Sequence, residues 1–119
     1  MRIEDIMTSK VQTLSSNDTM RQAAAAMQSH NIGSLPVMGD QGVVGIVTDR
    51  DLVIRGMAAG SDPGTTSVSS LMTGQVVFGT PTMDVSEAAD LMSRHQIRRL
   101  PIMDGGRLVG MVSMADVAR

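Results

Sequence analysis

The sequence predicts an α/β (α+β) fold in which two tandem β-α-β-β-α repeats form a pair with pseudo-two-fold symmetry. The first observation is an internal repeat: a shift of 65 positions aligns residues 3–54 with residues 68–119 without a gap, and 15 of the 52 pairs are identical. The second is composition, since a chain that is 42% hydrophobic and 18% charged is typical of a globular domain. Because two copies are too few for a solenoid, we expect one closed pair.

Each repeat is predicted to begin with a short helical turn, near residues 3–7 in the first copy, and an extended segment at 11–14. A capping box then opens a helix, because a side chain that accepts a hydrogen bond stands three residues before Gln or Glu. The two boxes are Thr19 with Gln22 and Asp84 with Glu87. The helices that follow, with an apolar period of 3.6 residues, are expected over 20–29 and 85–94.

Two short strands are predicted after the first helix, at residues 34–38 and 43–48, with a glycine-containing turn between them. A last helix is expected to begin near Asp49 and to run to about residue 59. Residues 60–67 are rich in Gly, Ser, Thr and Pro, which indicates a linker. The predicted domains are therefore a first repeat at 1–59 and a second repeat at 68–119.

Composition excludes several classes of protein. The chain contains no cysteine, which removes disulfide scaffolds, thiol nucleophiles and cysteine-ligated metal sites. Its net charge of −2 lacks the basic excess typical of nucleic-acid binding. The charged first residues and the absence of a long apolar run predict neither a signal peptide nor a membrane span. We therefore expect a cytoplasmic protein.

The methionines and histidines give no strong sign of catalysis or metal binding. The twelve methionines recur across the chain beside a single phenylalanine, which favours methionine as core filler over a copper site. His30 and His95 stand at predicted helix C-termini, where the helix dipole favours them without a role as ligand or base. Because no catalytic constellation stands out, the sequence predicts no enzyme and no metal site.

A motif recurs where the second hairpin strand of each copy ends. Thr48 and Asp51 follow Gly45, and Ser113 and Asp116 follow Gly110 at the same spacing. Glycine permits close backbone approach, and an aspartate at this point can accept two hydrogen bonds from a ribose diol. The simpler interpretation is that the motif forms two helix N-caps and nothing more.

The duplicated pattern resembles a pair of cystathionine-β-synthase (CBS) domains, a Bateman module. The resemblance is carried by Ile-x-x-Leu-Pro at 32–36 and 97–101, followed by Gly-x-x-Thr/Ser-x-x-Asp, and it covers essentially the whole chain. Within the family the chain is similar to stand-alone two-domain bacterial proteins of the hypoxic-response and stress type, through residues 48–56 and 95–99. The resemblance implies a regulatory sensor with no attached enzyme or channel domain, a homodimer, and an unknown downstream protein.

The resemblance also implies adenosine-containing ligands, AMP, ADP, ATP or S-adenosylmethionine, in two clefts between the repeats, with no required cofactor. Ribose would be held by Thr48 and Asp51 in one cleft and by Ser113 and Asp116 in the other. The residues expected to enclose adenine are Val76, Val77 and Ile97 in the first cleft and Val11, Gln12 and Ile32 in the second. Arg98 and Arg99 match positions where basic residues meet phosphates.

The two copies differ at those phosphate positions, where the first copy has Gly33 and Ser34. Arginine pairs bidentately with phosphate and these two residues do not, so we expect clefts of unequal affinity, or one that stays empty. Arg98 and Arg99 are alternatively a charged strand edge that discourages aggregation. Weaker candidates for the phosphate contact are Lys10, Arg50 and Arg55. For the whole chain, the alternative is a ligand-free interaction or structural CBS dimer with degenerate clefts.

Overall fold

The computed structural model describes residues 1–118, which form two compact units. The central unit is Gln12–Val76. The terminal unit combines Met1–Val11 with the described residues from Val77 onward. Both units contain the predicted mixture of helix and strand.

These compact units do not follow the predicted boundaries at 1–59 and 68–119. In the terminal unit, Thr8 exchanges two backbone hydrogen bonds with Met111, at 2.8 and 2.9 Å. In the central unit, Thr73 and Ile46 do the same at 2.9 and 3.0 Å. Each hairpin therefore satisfies the outer edge of its second strand with the segment that starts the other sequence repeat. Residues 60–67 also belong to the central unit, where the Thr66 carbonyl accepts the N–H of Met20 at 2.8 Å.

The central unit contains a three-stranded sheet in the order β1-β2-β3. Strand β1 (Leu14–Ser15) pairs parallel to β2 (Ser34–Gly39), which pairs antiparallel to β3 (Gly42–Thr48). Helix α1 (Met20–His30) connects the two parallel strands, and α2 (Asp49–Asp51) follows β3. The predicted order is confirmed, although the extended segment expected at 11–14 is a strand only from Leu14.

Helix α2 continues as a π-helical segment over Leu52–Met57, so the predicted last helix ends two residues earlier than expected. The N–H of Ala58 bonds the carbonyl of Val53, and that of Ser61 bonds Gly56, each five residues back. Gly56 is buried at this point, and a Cβ there would lie 2.7 Å from the terminal methyl of Met20. Glycine at this position leaves room for the Met20 side chain of α1 to pack against the π-helical segment.

The terminal unit repeats most of this arrangement. Helix α3 (Val85–Arg94) precedes an antiparallel hairpin of β4 (Arg99–Asp104) and β5 (Arg107–Ser113), and α4 (Met114–Val117) follows. The counterpart of β1 is reduced to a single parallel bridge between Gly79 and Ile102. Both hairpins shift register at the same place, after Val37 and after Ile102, as expected of a duplication.

The two predicted capping boxes differ in outcome. At α1 the box is confirmed: Thr19 Oγ1 accepts the N–H of Gln22 at 3.1 Å, and Gln22 Oε1 accepts the N–H of Thr19 at 2.8 Å. At α3 the predicted pairing of Asp84 with Glu87 is wrong, because the Asp84 carboxylate accepts the N–H of Ser86 at 3.0 Å and also the Ser86 hydroxyl. Those two bonds hold the pKa of Asp84 below its ordinary value.

Each unit has its own apolar core. The central core contains Leu14, Met20, Ala23, Met27, Leu35, Val37, Val47, Leu52, Val68 and Leu71. The terminal core contains Ile3, Ala88, Met92, Leu100, Ile102 and Val112. Methionine fills core volume at Met20, Met27 and Met92, which confirms the filler role there, whereas Met1 and Met57 are exposed.

Candidate ligand-binding site

The candidate site in the central unit lies where β3 passes into α2. Thr48 Oγ1 accepts the N–H of Asp51 at 3.0 Å, and Asp51 Oδ2 accepts the N–H of Thr48 at 2.9 Å. Both residues are half-buried, and the Asp51 side chain is 15% exposed. This reciprocal pair satisfies two backbone donors at the start of the helix and fixes the direction of the carboxylate.

The terminal unit reproduces the pair between β5 and α4. Ser113 Oγ accepts the N–H of Asp116 at 3.2 Å, and Asp116 Oδ2 accepts the N–H of Ser113 at 3.1 Å. Ser113 and Asp116 are also half-buried. The helix-cap interpretation of the motif is therefore confirmed in both units.

Asp51 has a cationic neighbour one helical turn further on. Arg55 Nε lies 3.7 Å from Asp51 Oδ1, on the carboxylate oxygen that the cap does not use. Arg55 Nη1 donates to the carbonyl of Met72 at 3.3 Å. Arg55 is therefore occupied by an ion pair and a backbone contact in the central unit, although sequence reasoning gave it only a weak phosphate role.

The motif glycines permit the close backbone approach that was predicted for them. A Cβ at Gly45 would lie 2.8 Å from the Thr73 carbonyl oxygen and would collide with the Met72 sulfur. A Cβ at Gly110 would collide with the Met7 sulfur and lie 3.2 Å from the Thr8 carbonyl oxygen. The close approach that glycine permits is made here by the chain itself.

The positions that precede each hairpin differ in charge. The Gly33 carbonyl accepts the N–H of Asp49 at 2.9 Å, and the Arg98 carbonyl accepts the N–H of Met114 at 2.7 Å. Arg98 is exposed and Arg99 is half-buried, and within residues 1–118 neither forms an ion pair. Asp49 stands beside residue 33 as Met114 stands beside residue 98, a contrast that the sequence motif did not reveal.

The residues predicted to enclose adenine are divided between the two units. Gln12, Ile32 and Val76 belong to the central unit, where Ile32 packs on the core and Gln12 is exposed. Val11, Val77 and Ile97 belong to the terminal unit, where Val77 and Ile97 pack on its core. Their contact with a ligand stays a prediction.

The described residues offer no separate metal or membrane feature. Across residues 1–118, no group of three or more His, Asp or Glu side chains is placed to hold a metal ion. No helix in that part of the chain is long and apolar enough to cross a membrane. His30 ends α1 and His95 follows α3, and both are exposed, as the helix-end interpretation predicts.

Comparison with known proteins identifies both halves of the sequence. Residues 3–57 and 68–119 each match the CBS domain. The chain is 47% identical over 117 residues to the CBS domain-containing protein YhcV of Bacillus subtilis (strain 168), covering 98% of this chain and 82% of that protein.

Two solved structures are similar over nearly the full length of both chains. The first is Hypoxic Response Protein I with two coordinated zinc ions: the TM-score is 0.92 at 38% identity, with 100% of this chain and 98% of that chain covered. The second is the CBS domain pair of protein MJ0100 in complex with methylthioadenosine and S-adenosyl-L-methionine, with a TM-score of 0.89 at 28% identity, covering 100% and 94%.

Proposed function

Because this chain belongs to the CBS domain family, we propose that it is a regulatory module that binds adenosine-containing ligands. In this proposal, Thr48 with Asp51 and Ser113 with Asp116 each hold one ribose, and occupancy is passed to a downstream protein. The proposal assigns no catalysis to the chain and requires no cofactor. The cytoplasmic location stays a prediction from the sequence.

The observation that carries the proposal is the repeated orientation of a half-buried carboxylate. In both units the hydroxyl and the carboxylate exchange hydrogen bonds with each other's backbone N–H, at 2.9 to 3.2 Å. A carboxylate has about four lone-pair sites, and the cap uses one of them on Oδ2. A carboxylate held in this direction suits the two adjacent hydroxyl donors of a ribose diol, and a preoriented acceptor loses little entropy on binding.

The related structure bound to methylthioadenosine and S-adenosyl-L-methionine supports adenosine as the recognised moiety. In the related zinc-containing structure the metal is a property of that protein. Zinc sites are built mainly from thiolate and imidazole, and this chain has no cysteine and only His30 and His95. We therefore keep adenosine compounds, and not zinc, as the proposed ligands.

A thermal-shift screen tests the proposal. Adenosine, AMP, ADP, ATP and S-adenosylmethionine are compared with guanosine monophosphate at equal concentration. A ligand that binds only the folded state at 100 times its Kd stabilises it by about 2.7 kcal/mol, so adenosine compounds should raise the melting temperature and the guanosine compound should not. If no adenosine compound shifts the transition at millimolar concentration, the ligand-free interaction module is the better description.

We also propose that the chain forms a homodimer. The sequence also allows a dimer surface on the apolar helix faces, but Ala23, Met27, Ala88 and Met92 of those faces are buried within the units. The largest cluster of exposed apolar side chains close in sequence lies on the π-helical segment: Val53 (49% exposed), Ile54 (52%) and Met57 (67%). Self-association with two-fold symmetry covers such a face on both copies at once.

Light scattering at micromolar concentration tests the proposed homodimer. The parent chain should scatter as a dimer, and Ile54→Glu should scatter as a monomer, because a charge would have to be buried at the interface. Val44→Glu is the matched control, since Val44 is an exposed apolar residue outside this segment. A parent that stays at 12.6 kDa contradicts the proposed dimer.

A further inference from the structure

The two candidate sites place opposite charges beside equivalent backbone. Residue 33 in the central unit and residue 98 in the terminal unit each accept the first N–H of the helix that carries the candidate aspartate, at 2.9 and 2.7 Å. The backbone is therefore the same in both places. The residues differ: Gly33 lies beside Asp49 in the central unit, and Arg98 lies beside Met114 in the terminal unit.

Asp49 is held over Gly33. A Cβ at Gly33 would lie 2.8 Å from Asp49 Oδ2 and 3.1 Å from its Cγ, so the carboxylate occupies the space where a longer side chain at residue 33 would begin. Asp49 Oδ1 accepts the N–H of Arg50 at 2.8 Å, which fixes the carboxylate in that direction. A negative group therefore lies where the other unit begins an arginine side chain.

The charges around each aspartate give different totals. In the central unit Asp49, Arg50, Asp51 and Arg55 lie close together in sequence and sum to a net charge of zero. Arg55 is already engaged by Asp51 and the carbonyl of Met72. In the terminal unit Arg99 pairs with Ser113 across the hairpin, and the Arg98 carbonyl accepts the N–H of Met114. With Asp116 these two arginines sum to a net charge of +1. Asp49 is the charged side chain that lies directly beside residue 33.

We infer that the two sites select ligands by the charge of the group at the ribose 5′ position. The terminal unit binds adenosine compounds that carry phosphate, and the central unit binds those whose 5′ group is neutral or cationic, such as a thioether or a sulfonium. This inference rests on the proposed function. Its physical basis is that Asp49 repels a phosphate and attracts a sulfonium, whereas Arg98 and Arg99 do the reverse.

Single-site variants separate the two sites. Asp116→Ala leaves the central site intact, and Asp51→Ala leaves the terminal site intact. Calorimetric titration of each variant with adenosine, AMP and S-adenosylmethionine should show the sulfonium compound binding more tightly than AMP at the central site, and the opposite order at the terminal site. One unit-charge pair near contact distance in water corresponds to a change of about sixfold.

Asp49→Asn, made in the Asp116→Ala background, tests the cause of the selection. The amide keeps the size and the acceptor oxygen, so AMP should bind about sixfold more tightly, S-adenosylmethionine about sixfold more weakly, and adenosine as before. Asp40→Asn is the matched control, because Asp40 is an exposed acid in the turn between β2 and β3. It should change none of the three affinities.

The reverse change, an added acid in the terminal unit, is the complementary test. Met114→Asp in the Asp51→Ala background should weaken AMP and leave adenosine unchanged. If Asp49→Asn changes AMP, adenosine and S-adenosylmethionine by the same factor, or changes none of them, charge selection by Asp49 is overturned while adenosine binding stands. If the parent chain binds none of the three compounds, the proposed function itself fails.

Discussion

The Thr48–Asp51 and Ser113–Asp116 elements have the same backbone hydrogen bonds and different surroundings. Both form a reciprocal cap, and both follow a strand whose buried glycine lies against a methionine and a backbone carbonyl. One is accompanied by Asp49 and an engaged Arg55, and the other by Arg98 and Arg99. The two copies therefore share the helix cap and the buried glycine, and they differ in the charged residues close to the cap.

This difference shows which constraints act on each residue. A cap satisfies backbone donors that are otherwise left without partners, so its loss lowers stability whatever the ligand is. At residues 33 and 98, by contrast, only the backbone carbonyl bonds the helix that follows the hairpin. The residue there can differ between the copies, as Gly33 and Arg98 do, without loss of that backbone bond.

The largest expected effect is on ribose binding. Asp51→Ala and Asp116→Ala each remove charge-assisted hydrogen bonds worth about 1.5–3 kcal/mol apiece, so affinity at the affected site should fall at least about tenfold. The fold should survive, because losing a cap costs about 1 kcal/mol. Calorimetric titration of both single variants and of the double variant measures the change.

The matched control for this prediction is Thr19→Ala. Thr19 forms the same type of reciprocal cap at α1, so its loss should lower the melting temperature without changing nucleotide affinity. A double aspartate variant that binds nucleotide as the parent does would reduce both elements to helix caps.

The second prediction concerns phosphate in the terminal unit. Arg99→Ala should weaken AMP and ATP by about tenfold and leave adenosine nearly unchanged, because a charge-assisted bond to phosphate is lost. Arg107→Ala is the control, since Arg107 is an exposed arginine that begins strand β5. Equal weakening of adenosine and ATP would show that Arg99 supports packing and not phosphate binding.

Much of the fold was predictable because local signals agree with it. The helices at Met20–His30 and Val85–Arg94 and the two hairpins follow from apolar period, caps and turn residues. The pairing of each hairpin with the first segment of the other sequence repeat was not predictable, since the partner of a strand edge far along the chain leaves no periodic signal. The π-helical turn also escaped prediction, although Gly56 within a helical pattern was an available sign.

The candidate site also has a part that the sequence predicts and a part that only the structure shows. Thr48, Asp51, Ser113 and Asp116 were found because the spacing repeats, and the structure confirms their caps. The role proposed for Asp49 depends on the position of its carboxylate beside Gly33, which only the structure shows. The sequence shows only an acid at the start of a helix, where many helices have one.

The third prediction compares the two buried glycines. Gly45→Ala should destabilise the protein by about 1–3 kcal/mol, because its Cβ would lie 2.8 Å from the Thr73 carbonyl, a backbone atom that cannot move cheaply. Gly110→Ala should cost less, since the Thr8 carbonyl is 3.2 Å away and the closer Met7 side chain is flexible. Urea unfolding of both variants measures the difference, and equal costs would contradict it.

The smallest expected effect distinguishes the caps of α1 and α3. Ser86 donates to the Asp84 carboxylate and holds its pKa below the ordinary value, so the contribution of this cap to stability is present above that ordinary value and is lost as pH falls through the lowered pKa. Thr19 does not titrate. Thermal unfolding between pH 7 and pH 3 should therefore show that Asp84→Asn, which keeps an acceptor but no charge, lowers the melting temperature at pH 7 and loses that difference in acid. Thr19→Asn should show a difference that is constant over the same range. A constant difference for Asp84→Asn would mean that the carboxylate stabilises α3 only as a neutral acceptor does.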